Sequence, residues 1–113
     1  MAHGSGGPGR PDVVDELIEF LTPAVTDILE RVDAEEFTTV QFIEVLQTDP
    51  VANEAYHEAL KKWGEDDHYS KMVVHGQVIP AIMRQSGLVE WAGFAHGEED
   101  PYAVSAWWKK TQP

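Results

Sequence analysis

No cysteine occurs in the 113-residue chain, so a disulfide framework is excluded and the reducing cytoplasm is the expected compartment. No apolar run approaches the roughly 20 residues that a bilayer-spanning helix needs. The N-terminal stretch lacks the apolar core of a secretory signal. Basic residues are scarce: eight Lys and Arg stand against twenty Asp and Glu, a formal net charge of −12. That deficit argues against general affinity for nucleic acid or anionic membranes, both of which rest on Lys and Arg. Its plainest consequence is solubility through self-repulsion. An acidic face for a basic protein partner is the other reading.

The charge is unevenly placed. Residues 11–65 hold fourteen acids and three bases, whereas residues 66–113 hold six acids and four bases. Between His68 and Val89 there is no acid, while Lys71, His75 and Arg84 fall inside that stretch. The length fits one domain with a core of its own.

Residues 1–11, MAHGSGGPGRP, are Gly-rich and carry no apolar anchor, so a disordered tail is expected, with a single domain over 12–113. Val13, Val14, Leu17, Ile18 and Leu21 then recur at helical spacing, and Val25, Ile28, Leu29 and Val32 continue the stripe beyond Pro23. Two short helices, or one helix kinked at Pro23, satisfy that pattern. Thr38 with Gln41 three residues on makes a capping box, and Phe37 with Phe42 has the spacing of a hydrophobic staple. A helix over about 39–48 follows, burying Val40, Ile43 and Leu46. Asp49-Pro50 opens another helix that Gly64 ends, with Lys61 and Lys62 in its last turn.

The next stretch has two readings. Met72–Val74 and Gln77–Ile79 around His75-Gly76 fit a tiny hairpin. They also fit a helix to about His75, a turn at Gly76 and a new helix over Pro80–Gln85, which we favour. On a helix through residues 68–79, Tyr69, Met72, Val73 and Gly76 share one face, away from Val74 and Val78. Val74 and Val78 then form an outer apolar pair suited to a homodimer, unless a break at Gly76 buries them. Leu88–Ala95 and Tyr102–Trp108 read as two strands, with Trp91 and Trp107 or Trp108 anchoring them on the helices. The fold class is therefore mainly α with a C-terminal β-hairpin.

The segment Val78-Ile-Pro-Ala-Ile-Met-Arg-Gln-Ser-Gly-Leu-Val-Glu90, a short helix running through Gly-Leu-Val into a hairpin, resembles the winged-helix superfamily. The resemblance covers about residues 66–110. It implies a winged-helix-like, non-enzymatic binding module, DNA-associated or transcription-related, contacting duplex DNA through residues 68–86. Gln77, Arg84 and Gln85 would approach bases or phosphates, Lys71 and His75 the backbone, and Lys109 and Lys110 phosphate beside the wing. The chain departs from the pattern in its short, single-Arg helix and in Glu98-Glu99-Asp100 at the wing tip, where acids repel phosphate. Winged-helix domains also serve as protein-interaction modules, and this charge pattern suits that use. The competing function is an acidic adaptor subunit that meets a basic partner.

Catalytic and metal patterns do not stand out. Glu65-Asp66-Asp67-His68 reads as a cap and turn, lacking the alternation of a calcium loop. His68 and His75 lie about two helical turns, roughly 11 Å, apart, too far to share one metal. His57 and His96 supply no ligand motif. Ser70, Ser86 and Ser105 lack a nucleophile elbow, and Ser86 before Gly87 suits a helix end. No cofactor is expected.

Overall fold

The computed structural model describes residues 11–64, 67–95 and 102–111. Residues 1–10 of the tail expected over 1–11, the turn at Glu65-Asp66 and the loop His96–Pro101 lie outside the described residues, and Pro11 opens the first helix instead. The chain is mainly α with a small antiparallel sheet. Helix α1 spans Pro11–Arg31, strand β1 Glu36–Thr38, α2 Thr39–Thr48 and α3 Pro50–Trp63. Helix α4 spans Asp67–Val73 and runs through a π-helical turn, Val74–Val78, into α5, Ile79–Ser86. Strands β2, Val89–Phe94, and β3, Ala106–Lys110, close the fold. The sheet order is β1-β3-β2, so the last strand is central.

Helix α1 passes through Pro23 as one element. Leu21 and Val25, on either side of the proline, are fully buried. Their burial on one continuous face outweighs the lost backbone bond. Thr22 and Thr26 donate their hydroxyls to the Ile18 and Thr22 carbonyls around the break.

The α2 start forms as its sequence dictates. Gln41 N–H donates to Thr38 Oγ1 and Thr38 N–H to Gln41 Oε1, and Phe37 stacks on Phe42 with ring centroids 6.0 Å apart. The same three residues, Glu36–Thr38, also pair with β3, in register Glu36↔Lys109, Phe37↔Trp108 and Thr38↔Trp107. That short strand is absent from the sequence reading. Asp49 caps α3 through Ala52 N–H, and Gly64 ends it at φ 84°.

The turn expected at Gly76 is instead the π-helical segment. Pro80 has no N–H, and its ring would press on the carbonyl four residues back. A five-residue turn, closed by Ile79 N–H on Val74 O, widens the backbone just ahead of it. The extra residue moves the inward stripe to Val73-Val74, Val78-Ile79 and Ile82-Met83, all buried. Tyr69 and Met72, expected inside, are exposed instead. Val74 and Val78 sit in the core, so the outer apolar pair proposed for a homodimer does not exist. Gly76 faces Ala103, whose Cβ would lie 3.3 Å from an added methyl.

The second strand is shorter and later than expected, starting at Ala106 rather than Tyr102. Its anchor is Trp108, which is fully buried. The indole N–H of Trp108 donates to Thr39 Oγ1 at 2.8 Å, and Ala106 N–H donates to the same oxygen at 3.2 Å. Replacing Thr39 by Val leaves the buried indole N–H without that acceptor. Thermal unfolding should show a loss of about 1–3 kcal/mol; a Tm equal to wild type would show that the bond contributes nothing.

Asp49 is held below the ordinary carboxylate range, first by Ala52 N–H and then by the Arg31 guanidinium. A lowered folded-state pKa stabilises above the unfolded value and is lost as pH falls through the folded one. The stability gap between wild type and Asp49→Asn should therefore be widest at neutral pH. It should narrow in acid when denaturant midpoints are compared.

Candidate functional site

Of the seven residues expected to face nucleic acid, four are exposed: Gln77, Arg84, Gln85 and Lys109. Gln77 lies in the π turn, and Arg84 and Gln85 lie in the last turn of α5, before Gly87 adopts φ 76°. Arg84 holds its guanidinium 5.9 Å from the Trp108 ring centroid, which sets it against the central strand β3. The Ser86 hydroxyl finishes the helix by donating to Met83 O and accepting from Leu88 N–H.

The remaining three are engaged within the fold. His75 is buried, and its Nε2 shares a 2.7 Å hydrogen bond with the Tyr56 hydroxyl. That burial leaves His75 little surface toward solvent. Lys110 donates from Nζ to Leu29 O at 2.9 Å, satisfying a carbonyl in the last turn of α1. Lys71 stands 5.4 Å over the Tyr102 ring. That ring also packs on His68 and His75, with centroids 5.3 and 5.2 Å away. The segment from Tyr102 thus lies along the helical face from which Lys71 and His75 were expected to reach a phosphate. Lys109, though exposed, is paired in register with Glu36 on one side and Glu90 on the other. Opposite charges at cross-strand positions compensate one another.

The sheet also exposes an aromatic pair that includes Trp91, expected to anchor the hairpin on the helices. Trp91 and Phe94 are 47% and 57% exposed. Their rings meet edge to face, with centroids 5.3 Å apart and planes at 82°. Normal alternation would send residues three apart to opposite faces. Here β2 gains a residue between Trp91, which pairs with Trp108, and Phe94, which pairs with Ala106. Gly93 supplies the conformation at φ 112°. The bulge brings both rings to the face that carries Trp108 and Ala106, on the outer strand. The signal in the sequence was the glycine inside an aromatic strand. Trp107, on the opposite face, is 37% exposed.

Among the described residues, no three His, Cys, Asp or Glu side chains converge as a metal site. No helix among them is long and apolar enough to cross a membrane.

Truncating the exposed pair should cost little. A Trp91→Ser/Phe94→Ser double variant should stay folded within about 1–2 kcal/mol of wild type, whereas Trp108→Ala should lose about 3–5 kcal/mol. Equal losses in chemical denaturation would place Trp91 and Phe94 in the core. Comparison with protein-family models, with curated proteins and with solved structures finds no match to this chain.

Proposed function

We propose that this chain is a non-enzymatic, winged-helix-like binding module that engages a protein partner through its last helix and the outer strand of its hairpin. The observation that carries the reading is the Trp91–Phe94 pair, two large rings held at the surface by a backbone bulge. Aromatic side chains with adjacent Arg are the residue types that supply most of the binding energy at protein contacts. The exposed Arg84 and Gln85 of α5 extend the contact beyond the rings. The winged-helix likeness is supported by the element order. A helix, a short strand and further helices precede a hairpin, and the final strand lies between the other two.

Duplex DNA is the second reading, in a DNA-associated or transcription-related setting. It is favoured by the acid-free run from His68 to Val89, which exposes Gln77, Arg84 and Gln85. Against it stand the burial of His75, the tether of Lys110 to α1 and the acids flanking Lys109. One exposed arginine neutralises little phosphate.

Two measurements separate the readings. Protein contact predicts no binding of a labelled 20-base-pair duplex at about 50 mM salt, where phosphate contacts are strongest. It also predicts a co-purifying protein that Trp91→Ser/Phe94→Ser releases without unfolding the chain. DNA contact predicts duplex binding that falls steeply with salt and is lost in Arg84→Ala. Duplex binding unaffected by the aromatic double variant would overturn the protein reading.

A further inference from the structure

The most acidic part of the molecule contains an apolar cleft that the hairpin does not share. It lies where the end of α1 meets the junction of α2 and α3, and Ile28, Arg31, Val45, Thr48, Asp49 and Pro50 line it. Ile28 forms the buried floor, while Val45 is 45% exposed on one wall. Val51, next to Pro50 in the chain, is 74% exposed. The cleft measures about 250 Å³. That is below the roughly 300–1,000 Å³ of small-molecule pockets, and it suits a single inserted side chain.

Each helix that forms the cleft carries an acid on the same edge. Residues four apart on a helix lie one above the other. Asp27 therefore sits one turn before Arg31, Glu44 one turn before Thr48, and Glu54 one turn after Pro50. Asp49 lies in the lining itself. Asp49 in the lining and Asp27 on Arg31 place two carboxylates at the cleft, and Glu44 and Glu54 stand one helical turn from lining residues, against the single guanidinium of Arg31. Arg31 is already shared between Asp27, at 2.7 Å, and Asp49, at 3.3 Å. The chain's own arginine shows the geometry in which this rim takes up a guanidinium.

We propose that this cleft is a docking site for a basic segment of a protein partner, one aliphatic side chain entering over Ile28 and Val45 and flanking Lys or Arg side chains meeting the carboxylate rim. Charge complementarity selects the occupant. The half of the sequence that builds the cleft, residues 11–65, holds fourteen acids and three bases. An acidic or neutral segment would meet repulsion or no attraction there, and a basic one gains both steering and contact. The site shares no residue with the aromatic pair on β2. With both surfaces occupied, the domain joins two partners.

The test uses the whole chain, a fluorescein-labelled amphipathic peptide of leucine and lysine, and polylysine of equal charge, compared by anisotropy near physiological salt. The leucine-containing peptide should bind more tightly than polylysine. Val45→Asp separates apolar docking from bulk attraction, because it adds a negative charge while removing the apolar wall. Docking predicts that it weakens the leucine-containing peptide about tenfold, a loss of the size expected for an anchor contact, and does not weaken polylysine. Arg31→Gln, which frees the rim carboxylates, should tighten both. Circular dichroism confirms that each variant is folded. Equal affinity for the two peptides, tighter peptide binding by Val45→Asp, or no binding of the leucine-containing peptide would overturn the proposal.

Discussion

One buried indole organises this molecule. Trp108 lies at the middle of the central strand, and burying its N–H without a partner would cost about 1–3 kcal/mol. Thr39 resolves the conflict. Its hydroxyl oxygen takes the indole N–H and the Ala106 N–H together, and its own proton is directed at Ala106 O. Thr39 is also the first residue of α2, directly after the capping threonine. The start of a helix, a three-residue strand and the centre of the sheet are therefore fixed by adjacent residues. Once Trp108 faces inward, register follows: Phe37 lies opposite it on β1 and Trp91 opposite it on β2. Phe37 is covered by α2 through Phe42, whereas Trp91 is 47% exposed, and the bulge at Gly93 sets Phe94 beside it.

Charge then divides the molecule. The first half builds most of the helical layer and carries most of the acids. The described residues 68–95 and 102–111 hold one acid, Glu90, and four bases. Those bases are largely spent within the fold: Lys110 on a helix end, Lys71 on Tyr102, Lys109 between two glutamates. What remains accessible at the hairpin is aromatic rather than strongly cationic, and what remains accessible at the α1–α2–α3 junction is apolar within an acidic rim. These are two surfaces of different chemistry, and both suit protein contact better than phosphate.

Much of the helical layer was legible because its determinants are local. Thr38 with Gln41, Phe37 with Phe42, Asp49 with Pro50, and the glycines at 64 and 87 each act within a few residues, and each formed as its spacing predicts. The π turn was not legible, because a period of 3.6 applied across Pro80 gives the wrong face for Tyr69, Met72, Val74 and Val78. Strand β1 was hidden because its residues already read as a cap and staple, and only a partner about seventy residues later makes them a strand. The same limit governs the site. The exposure of Gln77, Arg84 and Gln85 follows from a short helix with few polar positions. The burial of His75 depends on Tyr56, nineteen residues away, and the tether of Lys110 on Leu29, eighty-one residues away. Neither partner is marked by any pattern around the residue itself.

The arrangement of tryptophans is the point on which both the fold and the contact surface turn, and indole N–H exchange followed by NMR reads it residue by residue. Trp108 should exchange only on global unfolding, while the Trp91 and Trp107 indoles exchange rapidly. A rapidly exchanging Trp108, or a Trp91 protected as strongly as Trp108, would contradict the account.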